Sequence, residues 1–100
     1  MPGGFQIPRF AVVVWVRKTA SYPAIHDELL ELAAEDPYES TEYQDIVDYH
    51  WGFDRMAQAD RFASSLLKFA EKPEVVVLRI QRRDDGTPST TLKDERRVRH

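Results

Sequence analysis

Tyr38-Glu39-Ser40-Thr41-Glu42-Tyr43-Gln44 is the stretch on which the fold turns. On one reading, Asp36-Pro37-Tyr38-Glu39 opens a short helix. Aspartate would be its N-cap and proline its first helical residue, with the glutamate reaching back to the cap. On the other, residues 38–44 form a short edge strand, and the two readings lead to different sheets.

The segments on either side are easier to read. Phe10–Arg17 is β-branched and aromatic, as a strand requires. A turn over 19–23 leads into a helix that tolerates Pro23 in its first turn, where the missing N–H would be unpaired anyway. Ile25, Leu29, Leu32 and Ala33 make its apolar stripe, with Asp27, Glu31 and Glu35 on a wet side. Asp36-Pro37 stops it, because the residue before a proline avoids helical geometry. Beyond the deciding stretch, Val47, Tyr49, Trp51 and Phe53 alternate with Asp48, His50 and Gly52, the period of a strand. Asp54 is the expected N-cap of a second helix, whose stripe is Met56, Ala59, Phe62, Ala63, Leu66, Leu67 and Ala70 and which Lys72-Pro73 ends. Residues 75–81 read as a third clear strand. Asp85-Gly86 is a turn signal, and 90–92 can return as a further strand. The organisation is an irregular lead-in over 1–9, one α+β domain over 10–93 and a charged, flexible tail over 94–100.

With a strand in the deciding stretch, the order is βαββαβ: a ferredoxin-like plait, with an antiparallel sheet and both helices on one face. Without it, a βαβαβ variant remains.

One hundred residues, 42% hydrophobic and 31% charged, fit one globular domain. There is no cysteine, so disulfides, thiolate metal sites and cysteine nucleophiles are excluded. The longest apolar run, residues 10–16, is far short of the roughly twenty residues of a membrane helix. No signal-peptide pattern is visible, and the expectation is a soluble, cytoplasmic protein with no membrane partner. His26 and His50 are the internal histidines and show no metal-ligand spacing; no glycine-rich loop follows a strand. Ser64-Ser65 lie inside a helix without the turn that exposes a nucleophile. Neither a metal nor a cofactor is expected. Charge is uneven: residues 1–54 hold three Lys/Arg against ten Asp/Glu, and residues 55–100 hold eleven against seven. Between Thr19 and Asp54 there is no Lys or Arg at all. Such asymmetry suits a basic partner or head-to-tail association, and equally a fold that mixes the halves.

The strands are apolar on both sides. The helix-facing sets are Phe10, Val12, Val14 and Val16; Val47, Tyr49, Trp51 and Phe53; and Val76, Leu78 and Ile80. That leaves Ala11, Val13, Trp15, Val75, Val77 and Ile46 on the helix-free face, a patch large for a monomer. A second copy of the chain is the expected cover, giving a homodimer. At the polar end of this face Arg17, Asp48, His50, Arg79 and Gln81 gather beside Trp15. Histidine titrates near neutrality, a carboxylate two residues away can orient it, and arginine binds carboxylate or phosphate. His50 and Asp48 are therefore the catalytic candidates, and Trp15, Arg17, Arg79 and Gln81 the ligand-binding ones, toward a small anionic ligand. The same residues also suit ordinary cross-strand pairing. Three functions follow. The first is a homodimeric, non-catalytic binding or interaction domain with a ligand cavity at the open face. The second is a cofactor-free enzyme of the dimeric α+β barrel type using His50 for proton transfer. The third, a nucleic-acid binder, fits poorly with a net charge of −3 and one aromatic on the open face.

Overall fold

Phe10–Arg17 forms β1 and occupies the middle of a five-stranded antiparallel sheet. The structure, a computed structural model, describes residues 8–83 and 88–95. In chain order β1 is followed by α1 (Tyr22–Ala33), β2 (Glu39–Glu42), β3 (Ile46–Phe53), α2 (Met56–Ser65), a 3-10 turn (Phe69–Glu71), β4 (Val75–Arg82) and β5 (Pro88–Asp94). The sheet order is β2-β3-β1-β4-β5. The deciding stretch is thus a strand: β2 pairs with β3 from Glu39 opposite His50 to Glu42 opposite Val47. This small α+β architecture is consistent with a ferredoxin-like plait extended by one strand. No helix among the described residues is long and apolar enough to cross a membrane. Apart from Pro8, Arg9, Asp94 and Glu95, the expected lead-in and tail lie outside the described residues, as does the Asp85-Gly86 turn.

Both helices cover the same sheet face. Val12, Val14 and Val16 of β1, Val47, Tyr49 and Trp51 of β3, and Leu78 and Ile80 of β4 meet Ile25, Leu29, Ala33, Ala59, Ala63 and Leu66 in one core. Trp51 anchors α1 by donating its Nε1 hydrogen to the Glu35 carbonyl at 3.0 Å. Lys93 of β5 closes the far side, donating from Nζ to the carbonyls of Ala70 at 2.7 Å and Lys72 at 3.2 Å.

Several local expectations are corrected. Arg55, not Asp54, stands at the N-cap of α2, and no side chain caps it; Arg55 is extended and its carbonyl accepts from Gln58 and Ala59. This helix does not run to residue 70. After Ser65, whose hydroxyl donates to the Phe62 carbonyl at 2.6 Å, the chain tightens into turns and the 3-10 segment. The change of path leaves Leu67 outside the stripe and exposed while burying Phe69 and Ala70. Leu32 is likewise exposed, because α1 buries only Ile25, Leu29 and Ala33 before Ala34 turns left-handed at φ 62°. In β4 the facing is shifted at one end. Trp15 pairs with Val77 but Val16 pairs with Val75, so Val76 is an extra residue. That bulge turns Val75 into the helix-side core, whereas Val76 lies outside it.

Candidate functional site

On the helix-free face the strands set out two cross-sheet rows. One runs Glu39, His50, Val13, Arg79, Thr91; the next runs Thr41, Asp48, Trp15, Val77, Asp94. The alternation of side chains along a strand brings these residues to one surface. His50, Asp48, Arg79, Gln81 and Trp15 therefore do lie together. His50 Nε2 contacts both Asp48 carboxylate oxygens, Oδ1 at 2.9 Å and Oδ2 at 3.1 Å. The pair is well covered, its side chains 16% and 13% exposed. Among the described residues the other imidazole nitrogen, Nδ1, is buried without a hydrogen-bond partner. The Arg79 guanidinium lies 5.9 Å from the Trp15 ring centroid, donates from Nε to Gln81 Oε1 at 3.2 Å, and sits 3.8 Å from an Asp94 carboxylate oxygen. Arg17 departs from the group: half exposed, it reaches toward Glu95 at 3.7 Å.

The apolar part of this face differs from expectation in a way that matters. Ala11, Val13 and Val77 are 0–1% exposed within the single chain, and Val75 belongs to the opposite core. These small side chains are already covered within one chain, so the broad bare patch does not exist. Toward the end of β3, Tyr38 covers the face, its ring edge-on to His50 at 6.0 Å and under the Arg83 guanidinium at 4.6 Å. Pro8 comes so close to Gly52 that a Cβ there would stand 2.5 Å from the proline Cγ, which makes glycine the residue that fits. The polar end is accordingly a surface of packed side chains. Grooves lined by described residues lie elsewhere, one of about 520 Å³ between α1 and the turn after α2, bordered by Glu28, Leu32, Lys68 and Phe69.

A second polar cluster was not anticipated. On the helix side, the Tyr49 hydroxyl meets the Tyr22 hydroxyl at 2.5 Å and His26 Nδ1 at 2.8 Å, and Tyr22 and His26 are 3.2 Å apart. Burial of Tyr49, followed by its bond to Tyr22, pushes its pKa well above the ordinary tyrosine value. It therefore stays a protonated donor. Its ring continues into an aromatic row, stacked on Trp51 at 5.9 Å, which in turn meets Phe62 at 5.2 Å. Tyr22 and His26 are one helical turn apart and Tyr49 faces the helices, so each half of the contact was visible in the periodicity; their pairing is tertiary. At the adjoining sheet edge, Lys18 sits 2.6 Å from Glu42, and its ammonium holds that carboxyl below the usual range. No group of three or more acidic or histidine side chains among the described residues is placed to hold a metal ion.

Comparison of the chain with protein-family models, with curated proteins and with solved structures gives no match.

Proposed function

We propose that this protein is a non-catalytic binding domain on a ferredoxin-like framework, working in the cytosol, whose helix-free sheet face takes a small carboxylate or similar anion. The observation that carries the reading is the convergence of the His50–Asp48 pair, the Arg79 guanidinium and the Trp15 ring on one surface. Guanidinium offers five donors in a planar fork, and the described contacts of Arg79 use one hydrogen bond and one long ion pair. A carboxylate can replace Gln81 on that fork while an apolar tail rests on Trp15. Binding is favoured over proton transfer because the unpartnered nitrogen of His50 is buried, out of reach of a reacting atom.

The homodimer expected from an apolar face has less behind it. With Ala11, Val13 and Val77 already covered, a second copy would meet half-buried Trp15 and Ile46 and a rim of paired polar groups. An interface of that kind is small and polar.

The test is an NMR titration with acetate, benzoate and inorganic phosphate, reading the His50 ring and Arg79 side-chain resonances, alongside sedimentation. Saturable shifts at both residues, lost in Arg79→Gln, are expected. Shifts confined to the exposed arginines, or none at millimolar ligand, would overturn the reading. Sedimentation at twice 11.6 kDa, with these resonances unmoved by anions, would assign the face to a second copy instead.

A further inference from the structure

The sheet has two edges, and they are built differently. β5 begins with Pro88, shifts register twice against β4, and is tied down through Lys93. Proline, bulges and an anchored end are the usual means of preventing strand addition. β2 has neither a proline nor a register shift, and only its end is tied, by Lys18, which sits 2.6 Å from Glu42 and donates to the Tyr43 carbonyl at 3.2 Å. Tyr43 donates its N–H to the Ile46 carbonyl, so the antiparallel alternation points the N–H and C=O of Ser40 and Glu42 away from the sheet. Both residues are exposed.

We infer that the β2 edge is a docking site for an extended, lysine- or arginine-rich segment of another protein, added as a sixth antiparallel strand. Three observations choose this occupant. First, acidic groups outnumber basic ones around the strand: Asp36, Glu39, Glu42 and Asp45 are exposed, in a stretch without any Lys or Arg from Thr19 to Asp54, against Lys18 at one end and Arg83 over Tyr38 at the other. Lys18 occupies Glu42, but Glu39 has no ion-pair partner among the described residues. Second, two of the four exposed large hydrophobic side chains among the described residues, Tyr38 at 43% and Tyr43 at 54%, flank this strand. A tyrosine ring accepts a cation over its face, and Tyr38 already does so with Arg83 at 4.6 Å. Third, a second copy of β2 is the wrong partner. Antiparallel registers centred on residue 40, 41 or 42 each set two glutamates opposite or diagonal to one another, which like charges oppose. The edge thus accepts backbone hydrogen bonds while selecting against itself and for positive charge.

The probe is a capped seven-residue peptide alternating threonine with lysine, compared with its glutamate counterpart. Amide exchange and chemical shifts of the whole chain provide the readout. The lysine peptide should protect the Ser40 and Glu42 amides, the two that face outward, and shift Tyr43. Ser40→Pro removes one outward N–H and no bond to β3, and should weaken binding at least about tenfold. Should that variant fail to fold, Glu39→Lys decides, because it keeps every backbone group while reversing the charge. It should lower the affinity for the lysine peptide and raise that for the glutamate peptide. Equal binding of the two peptides, unchanged exchange at Ser40 and Glu42, shifts centred on the acidic side of α1, or sedimentation showing β2-mediated dimers would each overturn the proposal.

Discussion

Val13 and Val14 are neighbours in the chain, equally buried at 1% exposure, yet they are buried by different means. Val14 faces a core of helix side chains, in which Leu29, Ala59 and Leu66 exclude water. Val13 lies outside that core, between His50 and Arg79 on the adjacent strands, whose side chains bond to Asp48 and Gln81. Burial on a sheet face is therefore not by itself a sign that a helix packs there. Long amphipathic side chains can lie over small apolar ones while keeping their heads hydrogen-bonded.

The largest effects should come from the helix-covered face. Trp51→Ala removes a ring stacked on Tyr49, packed on Phe62 and bonded to the end of α1. A loss of about 3–5 kcal/mol is expected from denaturant unfolding, much of the stability of a domain this size. The comparison of faces is sharpest in a matched pair, Val14→Ala and Val13→Ala. If both faces are dry and packed, each should cost about 2 kcal/mol. A loss under about half a kcal/mol for Val13→Ala would mean that water already reaches the helix-free side.

Tyr49→Phe should cost about 1–2 kcal/mol, because it leaves the Tyr22 hydroxyl and His26 Nδ1 to satisfy each other at 3.2 Å. Its sharper signature is in alkali. Folding raises the Tyr49 pKa above the ordinary tyrosine value of about 10, so above that pH the unfolded chain binds fewer protons than the folded one. Stability contributed by this group is complete below pH 10 and declines as pH rises beyond it. The wild type should lose stability above that point more steeply than Tyr49→Phe, as equilibrium unfolding at a series of alkaline pH values would read.

These contrasts also mark how far the sequence could be read. The alternation in residues 46–53 announced both the strand and its two faces, because a period of two has no other regular explanation. The ends of α2 were not legible. Asp54 is a good capping residue, but whether its side chain turns back to the helix depends on where the chain enters, which Arg55 determines. The bulge at Val76 was equally hidden: four consecutive apolar residues, 75–78, carry no alternation from which a shift of facing could be noticed. For the helix-free face, composition suggested a bare apolar patch because a one-dimensional pattern shows which side chains share a face and not how they lean across it. The meeting of His50 with Asp48 was legible for the opposite reason: an i, i+2 pair on a strand is adjacent whatever the rest of the fold does.

The smallest expected effect separates the two meanings of that adjacency. Asp48→Asn preserves the shape of the side chain and one acceptor for His50 Nε2, removing only the charge. With both side chains mostly covered, the change should cost about 1 kcal/mol, between the value of an exposed ion pair and that of a buried one. Its consequence for anions is then the informative quantity. A carboxylate held by Arg79 beside the dyad approaches against the negative charge of Asp48, so neutralising Asp48 should strengthen acetate and benzoate binding even as it weakens the fold. If the loss of stability came with no change in anion affinity, the dyad would be a cross-strand fastening of the polar cover, and the ligand would be held by Arg79 and Trp15 alone. A weaker affinity would instead mean that Asp48 acts by keeping the imidazole oriented, and that this orientation outweighs the repulsion.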